Sequence, residues 1–320
     1  MRRTSSGMAW PTWAPLAALA ATACGSSGWA TRPAPFSLGD VHAISTTADV
    51  SSPYDAAPSA DGQTIYFTAS GAQGPAVYKA TASGGQASVL FAGAPLVFPS
   101  ALAVSGDDKT LFVSDPAAEQ DTGPLGGIYA IALPSGSPTL IAGSSGFIAA
   151  GLAVAGTKLY VAGRSPGGVA GLYAADTSGG ALAPVATGAT GATFADPSGI
   201  AIRSANEIYV ADGGNGSARV VRVAGGTATV VLGDLAVGYP AGLALSPDQS
   251  SLYVSALDPL AGGDTVLRLD LASSQVDSTS AGIEQYVDAA GLHRAANAPV
   301  YAWADTTANN TGTILVFGDK

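Results

Sequence analysis

The sequence predicts an all-β fold, a six-bladed β-propeller made of four-stranded antiparallel blades. The first observation is a short pattern, an aliphatic residue, an aromatic residue and then small or β-branched residues, that recurs every 44 to 49 residues. The second is the composition, because 42 Gly and 20 Pro among 320 residues punctuate many turns. A period of this length, kept over most of a chain, indicates a repeat architecture. The six copies are Ile65-Tyr66-Phe67, Leu111-Phe112-Val113, Leu159-Tyr160-Val161, Ile208-Tyr209-Val210, Leu252-Tyr253-Val254 and Val300-Tyr301-Ala302.

Each repeat contains the same elements in the same order. A strand of small residues comes first, as in Pro99–Ser105, Pro197–Arg203 and Pro240–Ser246, and a polar turn follows it. The aromatic pattern forms the second strand, a Gly-rich loop leads to the third, and a short turn leads to the fourth. Four antiparallel strands in about 45 residues make one blade, and stacking the blades around an axis buries both faces of each sheet.

The two ends of the chain predict how the ring closes. The last repeat provides a first strand near Gly291–Arg294, a second at Val300–Trp303 and a third at Thr313–Phe317, so it lacks a fourth. The segment Val41–Ser45 precedes the first repeat and is a spare strand. We expect this N-terminal strand to be the outermost strand of blade six, which removes an open sheet edge.

The N-terminus carries an export signal. Arg2 and Arg3 form a positive segment, and the mostly apolar residues 8–21 that follow are too few to span a bilayer. The next residues, Ala21-Thr22-Ala23-Cys24-Gly25, resemble the lipobox of bacterial lipoproteins. The resemblance implies that the signal is removed and that Cys24 becomes an acylated N-terminal residue. The alternative is an ordinary secretory signal cleaved nearby, with Cys24 left as a lone thiol.

These features divide the chain into three parts. We expect a lipoprotein signal peptide at 1–23, a flexible tether at 24–38 and the six-bladed β-propeller at 39–320. The protein is then exported and anchored to a bacterial membrane through its N-terminal lipid. The absence of Asp after Cys24 favours the outer membrane, facing the periplasm. We expect a monomer.

The charge balance argues against one class of partner. The chain has 23 Asp and Glu residues against 13 Lys and Arg, and an acidic surface repels phosphate backbones. Nucleic acid is therefore not expected as a partner. A protein or a small molecule remains as the ligand, and the sequence does not distinguish between them.

Several segments resemble known propeller families. The segment Pro197–Val223, with Asp212, Asn215 and Arg219, looks like an NHL-type repeat. The cores PSGIAI…IYVAD and PAGLALSPD…LYVS also resemble the regucalcin and gluconolactonase family, and Pro58–Ser70 is closer to Tol-system propellers. The resemblance covers most of residues 40–320, and what it implies is the scaffold.

The gluconolactonase resemblance implies a metal site that this sequence does not match. Those enzymes hold a divalent metal in the central channel with Asn, Asp and Glu, two of them where inner strands begin. The matching positions here are Ser100, Ser198, Ala241 and Ala290, whose hydroxyl and methyl groups are poor ligands for hard cations. The sequence therefore predicts no metal site and no cofactor. A divalent cation held by the Asp-rich loops is the alternative.

No group of residues predicts catalysis. Only His42 and His293 are available as histidine bases, and patterns of serine hydrolases or P-loop enzymes do not occur. His42 falls in the closing strand, and His293 falls in an inner strand where related blades have Ala201 and Ala244. We expect both to be structural or surface histidines, although His293 is placed where it could project towards the channel or a blade interface.

Acidic residues mark one face of the ring as the candidate ligand-binding face. Asp115 and Asp212 end the second strands of blades two and four in the same register, and Asp305 comes one residue later in blade six. These carboxylates are too far from the axis to share one ion, so we expect each to accept local N–H bonds and shape its own loop. Asp258 and the cation Arg164 occupy the equivalent loops of blades five and three.

The blade-to-blade connections reach the same face and are predicted to carry Asp55 and Asp196, among others. Loops on this face are where propellers usually bind partners. The predicted function is therefore that of a non-enzymatic, extracytoplasmic binding or assembly module. The alternative is a metal-dependent hydrolase or lactonase of the gluconolactonase type, and a third candidate is a lyase of the streptogramin type.

Overall fold

The computed structural model describes residues 38–39, 41–44, 50–71, 74–118, 124–188, 193–214, 217–235, 242–258, 263–278, 290–307 and 311–318. The predicted signal peptide, Cys24 and the tether up to residue 37 lie outside these ranges. The described residues form 24 strands. They are β1 (His42–Ile44), β2 (Val50–Pro58), β3 (Thr64–Gly71), β4 (Gly74–Thr81), β5 (Ser88–Ala92), β6 (Leu102–Val104), β7 (Thr110–Asp115), β8 (Gly127–Ala132), β9 (Pro138–Leu140), β10 (Ile148–Ala155), β11 (Lys158–Arg164), β12 (Ala170–Asp176), β13 (Ala183–Thr187), β14 (Pro197–Ser204), β15 (Glu207–Gly214), β16 (Ser217–Ala224), β17 (Thr227–Leu235), β18 (Leu243–Leu245), β19 (Ser251–Asp258), β20 (Gly263–Asp270), β21 (Val276–Ser278), β22 (Leu292–Arg294), β23 (Val300–Thr306) and β24 (Gly312–Gly318).

The strands form six four-stranded antiparallel sheets, which confirms the predicted six-bladed β-propeller. Blades one to five consist of consecutive strands, β2–β5, β6–β9, β10–β13, β14–β17 and β18–β21. The innermost strands are β2, β6, β10, β14, β18 and β22, and each contacts the innermost strand of the next blade. Because β22 also contacts β2, the six sheets close into a ring.

Ring closure joins the two ends of the chain, as predicted. Blade six has the strand order β1-β24-β23-β22, so the N-terminal strand is its outermost strand. Ala43 lies opposite Leu315 in the antiparallel ladder. The edge of β24 is therefore covered by the N-terminal segment, and the last blade is complete only when both ends of the chain are in place.

Two inner strands are shorter than predicted. Pairing covers Leu102–Val104 in blade two instead of Pro99–Ser105, and Leu243–Leu245 in blade five instead of Pro240–Ser246. The serine at the end of each predicted range bonds to the aspartate of the following turn in both blades. The inner strand of blade four, Pro197–Ser204, begins at its proline as predicted.

One position in each inner strand lies where the blades converge most closely. The occupants of this neck position, in blades one to six, are Asp55, Ala101, Gly151, Gly199, Gly242 and Gly291. A Cβ atom on Gly151 would strike the carbonyl oxygen of Ser198, and one on Gly242 would strike the backbone nitrogen of Leu292. The backbone of the next blade thus fills the space of a side chain. Blade two has an alanine here, and blade one has a charged residue, Asp55.

Blade six is out of step with the aromatic repeat by one residue. Its inner Leu292 lies opposite Trp303, whereas Leu102 of blade two lies opposite Val113. The alignment that matched Tyr301 with the aromatic residues of other blades is therefore wrong by one position. The cause is packing in the last blade, where Trp303 and Tyr301 both lie against one ring, that of Phe317, with centroids 5.4 and 4.6 Å away.

This shift changes where Asp305 lies. The N–H group of Ala304 bonds to the carbonyl of the neck residue Gly291, as the N–H group of Ser114 bonds to that of Ala101. Asp305 follows Ala304 as Asp115 follows Ser114. Asp305 is therefore in the same register as its counterpart in blade two, which corrects the predicted one-residue offset.

Candidate functional site

Asp115 is fully buried at the end of β7 and anchors the connection that enters blade two. Its Oδ2 accepts the N–H groups of Val97 and Phe98 at 2.7 and 2.8 Å, and its Oδ1 accepts the N–H group of Ala117 at 2.9 Å. Burial raises the pKa of the Asp115 carboxyl above its usual range, although these backbone N–H groups act in the opposite direction. Asp115 therefore fixes the backbone that carries Val97 and Phe98.

Asp212 occupies the same register in blade four and is also buried. Its Oδ1 accepts the N–H groups of Ala195 and Asp196, both at 2.9 Å. Unlike Asp115, it also has a cationic partner, since Oδ2 accepts bonds from Nε and Nη2 of Arg219 at 2.9 and 2.7 Å. Nη2 of Arg219 also donates a hydrogen bond to the carbonyl of Thr193. Asp212 thus holds the connection into blade four through both backbone and charge.

Arg164, at the end of β11, contacts the same connection from blade three. Its Nη2 donates to Asp196 Oδ1 at 2.6 Å and to the carbonyl of Ala195 at 2.7 Å. Both side chains of this ion pair are about half exposed. Arg164 and Asp212 are therefore brought together on one segment, residues 195–196, and Arg164 remains accessible from solvent.

Asp305 and Asp258 complete the predicted face. Asp305 is fully buried and accepts the indole N–H of Trp303 at 2.9 Å and the N–H of Thr306 at 2.7 Å. Asp258 is the last residue of β19, opposite Gly263, and its side chain lies outside the described part of the chain. Asp305 bonds within its own loop, as expected, whereas Asp115 and Asp212 bond mainly to the connections that enter their blades. Ligand binding by any residue of this face stays a prediction.

An aspartate–histidine pair that the sequence did not predict lies between inner strands of the ring. Asp55 is within β2 and only 3% exposed, so placing it in a blade-to-blade connection was wrong. The Nε2 atom of His293, on the inner strand of blade six, is 3.0 Å from Asp55 Oδ1 and 3.1 Å from Oδ2. Asp55 Oδ2 also accepts the N–H group of Leu102 in blade two at 2.9 Å.

This pair ties the inner strands of blades six, one and two together. The neck glycine Gly291 leaves the room that Asp55 fills, because a Cβ on Gly291 would strike the carboxylate. The repeat contained a signal for the pair. Asp55 stands where other blades have Gly or Ala, and His293 stands where they have Ala103, Ala153, Ala201 and Ala244 among others. Two departures in neighbouring blades, two residues apart in the repeat, indicate a contact.

Exposed apolar side chains form a second feature of the predicted face. Large apolar residues with high exposure number seven in the described chain, and five lie on this face in blades one to three, four in loops and one at the first residue of β10. We call these five the apolar rim: Val97, Phe98, Leu125, Ile148 and Val169. Their exposed fractions run from 36% for Phe98 to 55% for Leu125. These residues were not predicted from the sequence, where only charged residues marked this face.

Two sets of contacts support the segments that carry the apolar rim. The ring of Phe98 lies 4.7 Å from that of Tyr54, near the start of blade one. Gly146, two residues before Ile148, bonds through its N–H group to the carbonyl of Gly126 at 2.8 Å. A Cβ atom on Gly146 would touch Pro124 and Pro166, which lie in the loops that carry Leu125 and Val169. The loops of blades two and three are therefore packed against each other beneath the rim.

Neither a metal-binding cluster nor a membrane-spanning helix occurs in the described part of the chain. Within the ranges that the structure describes, no group of three or more His, Cys, Asp and Glu side chains is arranged to hold a metal ion. Over those ranges no helix is long and apolar enough to cross a membrane.

Comparison with solved structures finds propellers with low sequence identity. An aldose sugar dehydrogenase from Streptomyces coelicolor in its PQQ-bound form gives a TM-score of 0.62 at 14% identity, over 90% of this chain and 100% of that one. A nidogen/laminin complex gives 0.57 at 17%, over 72% and 80%. TolB from Acinetobacter baumannii gives 0.55 at 13%, over 85% and 65%. No protein-family model and no curated protein matches the sequence. These similarities support the fold and leave the role open.

Proposed function

We propose that this chain is an exported, lipid-anchored propeller that binds a partner protein through the apolar rim. The observation that carries the proposal is the position of the exposed apolar residues, five of the seven in the described chain being on one face of three adjacent blades. A contiguous exposed apolar surface on a soluble domain marks a binding surface, because leaving it in water is unfavourable. The partner that such a surface fits is a protein with an apolar contact segment.

The rim is also held in a fixed shape. Asp115 pins the backbone of Val97 and Phe98, and the phenol of Tyr173 bonds to the carbonyl of Val169 at 2.7 Å. A surface that is already ordered loses little conformational freedom on binding, which favours affinity. The similarity to a propeller in a nidogen/laminin complex is in keeping with a role in protein association.

Location follows from the N-terminal sequence. The lipobox-like segment ending in Cys24 supports attachment of the propeller to a membrane through a lipid, with the tether between them. Metabolic labelling with a palmitate analogue tests this. We expect label on the wild-type chain and none on Cys24→Ala, and label on both would contradict the anchor.

Site-specific photocrosslinking tests the binding surface. We would place a benzoylphenylalanine at Phe98 or Leu125 in cells that naturally express the chain, and at Val230 as the matched control. Val230 is 50% exposed on β17, away from the rim. We expect one discrete protein adduct from the rim positions, identified by mass spectrometry and lost when Ile148→Ser is added. Adducts of the same kind from Val230, or adducts unaffected by Ile148→Ser, would contradict the proposal.

A further inference from the structure

A cleft between blades four and five carries chemistry that protein binding at the rim does not use. It has a volume of about 280 Å³. Arg203, Glu207 and Arg222 of blade four line one side, and Leu269 and Leu271 of blade five line the other. Leu269 is buried and Leu271 half-buried, so the cleft combines an apolar wall with a charged one.

Glu207 organises the charged wall. Its Oε1 accepts Nε of Arg222 at 2.7 Å, the hydroxyl of Tyr209 at 2.8 Å and Nη1 of Arg203 at 3.5 Å. The hydrogen bond from Arg222 holds the pKa of Glu207 below its usual range, so it stays ionised. Both guanidinium groups remain about 40% exposed. One carboxylate thus holds two cations side by side, and both still face the solvent of the cleft.

The scaffold does not require these charges. The residues equivalent to Arg203 are Ser59 in blade one, Ser105 in blade two and Ser246 in blade five. Those equivalent to Glu207 are Thr64, Thr110 and Ser251 in the same blades. In blades one, two and five these two positions are five residues apart, whereas in blade four they are four apart and Glu207 lies opposite Ser204, after an irregularity in the ladder between Ile202 and Ser204. Blade four therefore departs from the repeat both in the length of this turn and in the charges that flank it.

We propose that the cleft binds a small monocarboxylic acid with an apolar body. Arginine recognises carboxylate groups through paired N–H donors, and two arginines fixed by Glu207 are arranged for it in advance. The apolar body lies against Leu269 and Leu271, as in ligand sites where an apolar lining surrounds a few polar groups. Asp270 also lines the cleft, and with Glu207 it repels multiply charged anions. The preferred ligand therefore carries one negative charge.

Calorimetric titration of the folded propeller with 4-methylpentanoate tests the proposal. The control ligands are 4-methylpentan-1-ol, which lacks the carboxylate, and inorganic phosphate, which lacks the apolar body. The test variants are Arg222→Gln and Arg203→Ser, the second being the residue that three other blades carry. The matched control is Arg268→Gln, because Arg268 occupies the position of Arg222 in blade five, opposite Tyr253, and is paired with Asp277 at 2.6 Å.

We expect binding of 4-methylpentanoate to the wild type and to Arg268→Gln with the same Kd. We expect Kd to rise at least tenfold in Arg222→Gln and several-fold in Arg203→Ser, with unfolding temperatures close to that of the wild type. Tighter binding of the alcohol or of phosphate would overturn the proposal. So would absence of binding to the wild type at about ten millimolar ligand, or an unchanged Kd in both test variants. Rim crosslinking is unaffected by these variants, so the two proposals fail separately.

Discussion

The connections into blades two and four are held by the same residue type in the same register, yet they present different surfaces. Asp115 bonds to backbone N–H groups, and the segment that it holds exposes Val97 and Phe98. Asp212 bonds to backbone N–H groups and to the guanidinium of Arg219, and the segment that it holds carries Asp196 in an ion pair. Both junctions thus have a buried carboxylate that accepts backbone N–H groups. The side chains that each connection exposes to solvent differ.

The difference also concerns charge. A buried carboxylate without a cation must be stabilised by N–H dipoles alone, and burial raises the pKa of Asp115 despite them. At the blade four junction the guanidinium of Arg219 stabilises the buried carboxylate of Asp212. The Arg219 side chain is 34% exposed, so it also contacts solvent. At the blade two junction the bonds to Asp115 in the described part of the chain come from backbone N–H groups, and the segment that they hold exposes apolar side chains.

Asp212→Asn is the substitution with the largest expected effect. The amide would keep the bonds to the connection but turn an NH₂ group towards Arg219, so a charge-assisted pair is lost, at about 2–3 kcal/mol of unfolding free energy. Denaturant unfolding measures this. Arg219→Gln is the control and should cost less, since it leaves Asp212 with the backbone contacts that suffice for Asp115. An equal or larger loss in Arg219→Gln would reverse the comparison.

Asp115→Asn should destabilise less, by about 1–2 kcal/mol. The amide oxygen can still accept the N–H groups of Val97 and Phe98, while its NH₂ group meets the N–H of Ala117 without an acceptor. The same denaturant series compares the two junctions. A loss greater than that of Asp212→Asn would mean that N–H dipoles, and not the cation, dominate the stability of such an anchor.

A pH series sharpens the comparison further. Because burial raises the pKa of Asp115, the folded state binds the proton more tightly than the unfolded chain does. The stability from this group is then fully present below the unfolded pKa of about 3.9 and is lost as pH rises through the folded-state pKa. We expect the unfolding free energy of the wild type to rise relative to that of Asp115→Asn when the pH is lowered from about 7 to about 4.5. A difference that shrinks on acidification would contradict the raised pKa.

The smallest effect on stability is expected from the rim itself. Val97→Ser changes a side chain that is 48% exposed, so the unfolding free energy should move by less than about 0.5 kcal/mol. Phe98→Ser should cost about 1 kcal/mol, because its ring makes a tilted contact with Tyr54. The crosslinking adduct should disappear in both. A larger loss of stability in Val97→Ser would indicate that the rim is part of the core.

Much of the architecture could be predicted from the sequence because each blade repeats the same local pattern of strands and turns. The spacing of the aromatic strands gave the number of blades, and the missing last strand matched the spare segment at the N-terminus, now seen with Ala43 opposite Leu315. These are properties of neighbouring residues in one blade, and hydrophobic periodicity and turn chemistry report them. The place of Asp115 and Asp212 at strand ends predicted that they accept backbone N–H groups, but the partners in the connections into their blades were not predicted.

Only the tertiary structure decided what depends on distant parts of the chain. Asp55 and His293 are 238 residues apart and meet because ring closure places blade six against blade one. The register of Asp305 follows from how Trp303 packs, and the apolar rim exists because loops of three blades converge on one face. The sequence by itself determined six blades, their order and their closing strand. Which side chains face each other between the inner strands, in the cleft and on the rim was decided by the packing of the blades, since those contacts join residues that no local pattern connects.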